Sequence, residues 1–445
     1  MMKVRRFTLT PLRILSIGFA LVILIGGILL TLPVCSRDGN GLPFVDALFT
    51  STSATCVTGL VLYDTYTQFS GVGQAAILCL IQVGGLGFVT VGILLPMALG
   101  KRIGLRERSL MKESIGALKI GGIVRLMRKA VFGTLLLELI GAAVLWIRFA
   151  RDMGPVSALW AGVFHSVSAF CNAGFDILGR NVPFGSLTNY VGDVMVNVTI
   201  MALIVVGGLG FIVWDDVLIH RHHVRRYALH TKIVLSVTAA LIALGTLLFY
   251  FMEADAAFAG LSAEDRVLAA LFQSVSPRTA GFNTVDLGKL SESGSILTMF
   301  LMMVGASPGS TGGGLKTTVF FVMVCSMLAY LRSRDSINVF NRKIEPQAVH
   351  RAFNSAMLYL LLAVSGALVI ALQGVPASDA MFEALSAIGT VGLSKGVTPG
   401  LTLLSKAVVI LLMYSGRVGS ISVLMAVTDR RIKTQINHVE EKIIV

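Results

Sequence analysis

A chain of 445 residues that is 55% hydrophobic and 14% charged, with mean hydropathy +0.81, is too apolar for a soluble enzyme. Apolar runs of spanning length recur along it, which predicts a polytopic helical membrane protein. The formal net charge of +13 invites a nucleic-acid reading. Its location argues against one. Most Lys and Arg fall in five clusters: Lys3 to Arg13, 101–129, 221–232, 332–351 and the tail from Arg430. The segments between them hold few basic residues, so the positive-inside bias places the clusters, and both termini, in the cytoplasm.

From the N-terminus, the run Ile14–Val34 is too long for a signal-peptide core and ends in LPVCSRDG without a small-residue cleavage site. It predicts a retained helix. PFVDALFTSTSA follows, too short to span, and predicts a half-helix that enters from outside, opened by Pro43. A glycine-containing stretch and a second long apolar run then return to the basic residues at 101. The same order fills 1–100, 101–220, 221–331 and 332–429, before a cytoplasmic tail at 430–445. The later short segments are SALWAGVFHSVSA, AEDRVLAALFQSVS and SDAMFEALSA, with Ser157, Ser262 and Ser378 as start signals.

Each half-helix leads into a related stretch: SATCVTGL, SAFCNAGF, VSPRTAGF or SAIGTVGL. The frame is a small-residue pair, four variable residues, a glycine (Gly59, Gly174, Gly281, Gly392), then Leu or Phe. Phe49, Phe164 and Phe382 stand ten residues before their glycines, with Leu271 in the third copy. Extended backbone at membrane depth is tolerated where protein surrounds it or it lines a watery path. Four copies predict an all-α integral membrane protein with four helix, pore half-helix, helix repeats around a pseudo-fourfold central pore. Carbonyls there would replace the water shell of a monovalent cation such as K+. The strands comprise Thr55, Cys56, Val57, Thr58 and Gly59; Cys171, Asn172, Ala173 and Gly174; Arg278, Thr279, Ala280 and Gly281; Gly389, Thr390, Val391 and Gly392. Asp64, Asp176 and Asp286 follow three of the glycines, either to concentrate cations at the mouth or as ordinary outer-loop residues.

In the third unit GASPGSTGGGLKTT interrupts an apolar run. A phosphate-binding loop would need Lys directly after its second glycine, whereas Leu315 separates Gly314 from Lys316, and no strand precedes the loop. Pro308 and the glycines at 309 and 312–314 weaken helix. A mobile polar segment below the strands suits a gate comprising Gly305, Ser307, Pro308, Gly309, Ser310, Thr311, Gly312, Gly313, Gly314 and Lys316; the plain alternative is a kink that eases packing. Arg417 is a second charge at membrane depth. It would either repel cations or pair with gate-loop carbonyls. The five cysteines (Cys35, Cys56, Cys79, Cys171, Cys325) show no ligand or disulfide spacing and read as small buried residues, and HRHH at 220–223 reads as part of a basic loop.

These motifs, with VGGLGF at 83–88 and 206–211, SPGSTGGGLKT in the third unit and YSGRVGS in the fourth, resemble the Trk/Ktr/HKT superfamily of potassium transporters over essentially the whole chain. The length and the lack of an extra N-terminal helix pair resemble its Ktr branch. The resemblance implies K+ uptake across the plasma (inner) membrane, often helped by Na+, by a homodimer with one pore per protomer. It also implies a cytoplasmic ring of RCK subunits that binds ATP or ADP, no cofactor in this chain, a gate at 305–316 with Arg417 below the filter, and a tail HVEEKIIV at the dimer interface. Gly59, where sodium-passing plant relatives often carry serine, favours potassium. Rival classes are a secondary transporter of another cation or small solute, which would show an inverted two-part repeat, and a membrane enzyme, for which no paired catalytic groups are present.

Overall fold

The computed structural model describes residues 10–92, 103–116, 120–180, 182–334 and 336–419. In chain order, α1 (Pro11–Leu30) leads to α2 (Phe44–Thr55), the short α3 (Thr65–Gln68) and α4 (Gly71–Leu86). Next come α5 (Leu105–Ile115), α6 (Ile123–Met153), α7 (Pro155–Phe170), α8 (Val194–Leu209) and α9 (Phe211–His220). They are followed by α10 (Leu229–Met252), α11 (Ala263–Val275), α12 (Glu292–Met303) and α13 (Thr317–Leu331), then α14 (Pro346–Ala371), α15 (Ala377–Gly389) and α16 (Leu403–Val418).

α1, α6, α10 and α14 have 20, 31, 24 and 26 residues and are long and apolar enough to cross a bilayer. Their outward faces carry exposed Ile17, Leu21, Ile25, Leu135, Leu139, Leu244 and Leu361, a lipid-facing belt that water would not tolerate. Each is followed by a half-helix of 12 to 16 residues: α2, α7, α11 and α15. Ser262 caps α11 by accepting from Asp265 N. Pro43 stands at the start of α2 as expected, whereas Pro376 precedes α15 and Gly154–Pro155 opens α7, so Ser157 and Ser378 lie in first turns. A proline or glycine already breaks the chain there, and no hydroxyl cap is required.

One packing unit recurs. A Cβ added to Gly26, Gly141 or Gly245 would sit 2.4, 2.5 or 2.3 Å from the hydroxyl of Ser51, Ser166 or Ser274, and within 3.3 Å of Leu80, Leu203 or Leu301. Those hydroxyls donate to Ile23 O, Glu138 O and Ile242 O at 2.7, 2.6 and 2.9 Å. In the fourth set Gly366 meets Leu412 the same way, at 2.5 Å. The absence of a side chain on each long helix lets the half-helix pack against its backbone. Phe49, Phe164, Phe272 and Phe382 fill the space beneath, each at most 1% exposed. The third of these corrects the expected Leu271, which packs only partly buried. The spacing from serine to glycine is one residue shorter there, because Ser276 takes the place that Ser53, Ser168 and Ser386 hold elsewhere.

The returning helix of the third set is broken as expected, but the other three differ from expectation. Instead of long unbroken runs, α4, α8 and α16 stop after 16 residues at Gly87, Gly210 and Gly419, whose φ values are +82°, +95° and +93°. Left-handed backbone cannot continue an α-helix, and α8 and α9 meet at 94°. α12 stops earlier still, after 12 residues, and the chain resumes as α13 beyond the loop at 304–316. The predicted tail at 430–445, with HVEEKIIV, and the N-terminal cluster Lys3, Arg5 and Arg6 lie outside the described residues.

Candidate ion path

Thr55 and Gly389 are the last residues of their half-helices, so the extended segments begin just beyond them. In all four, a residue with left-handed backbone stands two before the glycine: Val57 (φ +52°), Asn172 (+58°), Thr279 (+79°) and Thr390 (+50°). Gly59, Gly174, Gly281 and Gly392 then take φ +96°, +69°, +81° and +91°. Four non-glycine residues in this region are a strain the surroundings must hold. Serines near the half-helix ends do so. The N–H groups of Thr58, Ala173, Ala280 and Val391 donate to the carbonyls of Ser53, Ser168, Ser276 and Ser386 at 2.8 to 2.9 Å. The Ser53 and Ser386 hydroxyls accept from Gly59 N and Gly392 N, both at 3.1 Å. Those of Ser168 and Ser276 donate to Phe175 O and Phe282 O.

The glycines contact one another in cyclic order. A Cβ on Gly59 would lie 2.6 Å from Ala173 O, one on Gly174 2.7 Å from Ala280 O, one on Gly281 2.6 Å from Val391 O and one on Gly392 2.0 Å from Thr58 O. No side chain fits at any of them. All four line one outer cavity of about 410 Å³, together with Asp176, Asp286, Ser394 and Lys395.

The three acidic residues part company. Asp64 is buried, accepts from Thr67 N at 2.8 Å and Phe184 N at 3.0 Å, and so ties two outer loops together. Asp286 accepts from Gly288 N at 3.0 Å on the surface of the outer cavity. Asp176 is half-buried, and loss of water with the Asp64 carboxylate nearby pushes its carboxyl up to about 7. Arg278 turns away from the strands toward α10, where its nearest partner is the Thr238 hydroxyl at 3.4 Å.

Below the strands, Gly84, Gly207 and Gly416 pack on the half-helix ends, where a Cβ would lie 2.0 Å from Thr55 O, Phe170 O and Ile388 O. Gly305, four residues after Leu301, holds the matching place in the third set but faces the loop itself, 2.7 Å from Gly313 O. The loop is fastened on several sides. Ser307 N and Thr311 N donate to Gly208 O and Gly207 O at 3.0 and 3.3 Å, and Thr311 Oγ1 to Phe170 O at 3.0 Å. Phe211 N donates to Gly309 O at 2.9 Å, Gly313 N to Thr390 Oγ1 at 3.1 Å and Gly314 N to Gly416 O at 3.3 Å. Carbonyls and N–H groups freed by the broken helices are thus paired with the loop. Pro308 and Ser310 lie on its lower side, and Lys316 Nζ donates back to Gly312 O at 2.9 Å and Gly313 O at 3.3 Å.

Arg417 follows Gly416 at the place that Gly85, Gly208 and Ala306 hold in the other sets, so a long side chain enters from this side. Its guanidinium donates to Thr311 O of the loop, to Gly84 O, and to Gly85 O at 3.1 Å. Of the two roles expected for it, pairing with loop carbonyls is what the geometry contains. An inner cavity of about 340 Å³ lies beneath, lined by Gly85, Gly309, Lys316, Tyr359 and Arg417 among others. The loop lines this second cavity, whereas the four glycine strands line the first. The cysteines are all free, and Cys79, expected to be buried, is exposed on α4.

The family model for TrkH, described as a cation transport protein, matches residues 14–438. The chain belongs to the TrkH family. Within it, the chain is 40% identical to the potassium/sodium uptake protein NtpJ of Enterococcus hirae, covering 98% of this chain and 97% of that one. It is also 40% identical to the Ktr system potassium uptake protein B of Bacillus subtilis, over 93% and 92% of the two chains. The corresponding Vibrio alginolyticus protein is 37% identical over 92% and 90%. The fold is similar to the crystal structure of the potassium transporter TrkH from Vibrio parahaemolyticus, with TM-score 0.70 at 19% identity, over 96% of this chain and 86% of that one. TrkH-family proteins are multi-pass membrane transporters, not enzymes, and the Ktr names mark their bearers as parts of a transport system.

Proposed function

We propose that this chain takes up potassium across the plasma membrane through a carbonyl-lined filter on a pseudo-fourfold axis between the four glycine strands. The observation that carries the reading is the cyclic packing of Gly59, Gly174, Gly281 and Gly392, each against a carbonyl of the next strand. Four strands packed this tightly bring backbone carbonyls around one axis, where they can replace the water shell of a cation. Each half-helix also brings its partially negative C-terminal end toward the same point, which favours a cation and disfavours an anion. The four helix sets are then four repeats, and the names of the relatives supply the ion.

In this reading the loop at 305–316 is the gate, since it lines the cavity beneath the strands and is held by hydrogen bonds that can be exchanged for water. Arg417 latches it to the first repeat. The basic clusters support cytoplasmic termini, and the Ktr names of the relatives support a cytoplasmic partner, here an RCK ring binding ATP or ADP on a homodimer. Sodium is a second ion to test, because one relative is named for both. Uptake of radioactive rubidium in cells lacking their own potassium systems is the direct assay. Saturable uptake that excess K+ suppresses more strongly than Na+ supports the proposal, and uptake no greater than in cells without the protein refutes it.

A further inference from the structure

We infer that Glu138 is a positioning residue for ion affinity, a carboxyl placed behind the second strand so that ions in the path feel its charge. This rests on the proposed potassium uptake. The four long helices share a packed glycine, and in the first three the residue three before it supplies the carbonyl that the half-helix serine bonds. The residue at this place is Ile23 in the first set, Ile242 in the third and, by position alone, Ala363 in the fourth, but Glu138 in the second. The fold accepts an aliphatic side chain at this place three times, so its own packing does not call for a carboxyl.

Glu138 is 5% exposed. Its Oε2 accepts from Gln82 Nε2 of α4 at 3.1 Å, and its Oε1 faces the thiol of Cys171 at 3.8 Å. Cys171 belongs to the second strand, and its thiol also lies 3.5 Å from Gln82 Oε1. No basic side chain forms an ion pair with Glu138 among the described residues. A buried carboxyl with one neutral amide and one weak thiol donor is poorly compensated. The missing counter-charge is supplied by a cation beyond Cys171, in the path itself. Cys171 is thus the strand residue in contact with Glu138, and α4 packs directly on its thiol, for a Cβ on Gly85 would lie 2.5 Å from the Cys171 sulfur.

The test compares Glu138→Gln, Glu138→Ile and Glu138→Asp in rubidium uptake, reading half-saturation and maximal rate separately. Ile reproduces the residue of the first and third sets, and Asp keeps the charge. The K+ concentration for half-saturation rises about tenfold in the Gln and Ile variants, as expected for loss of one charge in a protein interior, and stays within about twofold of the parent in Asp. The K+ concentration that stabilises the purified protein against heating moves in parallel. An unchanged half-saturation in both neutral variants, with or without a lower maximal rate, overturns the inference. So does aggregation of both neutral variants with Asp intact, which would assign the carboxyl to folding. If the parent itself takes up no rubidium, the proposed function fails instead.

Discussion

Replacing Arg417 by alanine removes the latch between the loop and the end of α4. One of its bonds goes to the loop, at Thr311 O, and two go to the end of α4 at Gly84 O and Gly85 O. A charge-assisted hydrogen bond contributes about 1.5–3 kcal/mol net. The α4 bonds anchor the arginine rather than the loop, so the loop loses one such bond while Lys316 and the backbone contacts remain. Thr311 is fully buried, so its carbonyl regains a partner from water only when the loop is displaced; the lower end of that range already gives a shift of about tenfold in the equilibrium between seated and displaced loop. Loss of a positive charge beneath a cation filter acts in the same direction. The maximal rate of rubidium uptake should therefore rise about tenfold in Arg417→Ala, with half-saturation little changed. A correctly inserted variant with an unchanged or lower maximal rate would refute the reasoning.

Deleting residues 309–314 removes the partners of Phe211 N and Thr390 Oγ1 together with the Lys316 contacts, and rubidium uptake should rise at least as much as in Arg417→Ala. Gly392→Ser should weaken selection of potassium over sodium more than Gly59→Ser, because its Cβ falls 2.0 Å from a neighbouring carbonyl rather than 2.6 Å; competition assays that show both variants like the parent would remove the strands from the path. Phe272→Ala should lower stability by about 3–5 kcal/mol, and Leu271→Ala by less, in chemical denaturation of the purified protein. Asp176 holds its proton up to about 7 in the folded protein, whereas an unfolded aspartate releases it near pH 4. Stability should fall as pH rises from about 4 to about 7 and level off above, a slope that melting curves of Asp176→Asn should lack.

How much of this was legible in the sequence depended on whether a residue's meaning lay in its own type or in its partner. The half-helices were legible because a dozen apolar residues cannot span a bilayer and must end inside it. The glycines at 59, 174, 281 and 392 were legible because no other residue recurs at that place. The loop at 305–316 stood out for the same reason, as polar residues and glycine where apolar helix should run. Spacing alone misled at the third strand. Ser276 and Phe272 sit one residue closer to their glycine than their counterparts, and aligning by count from Gly281 picked Val275 and Leu271 instead. VGGLGF was visible twice, yet that Gly87 and Gly210 end their helices depends on a positive φ that the letters do not state. The reach of Arg417 across to Gly84 and Thr311, far apart in sequence, comes from the fold alone.

The location of the ion itself tests the account most directly. Crystals of the protein grown in rubidium, measured at the rubidium absorption edge, should show anomalous density between the four strands, enclosed by Gly59, Gly174, Gly281 and Gly392 and weakened when potassium replaces rubidium. A well-ordered ring without density there, in protein that transports rubidium, would contradict the account and send the ion by another route.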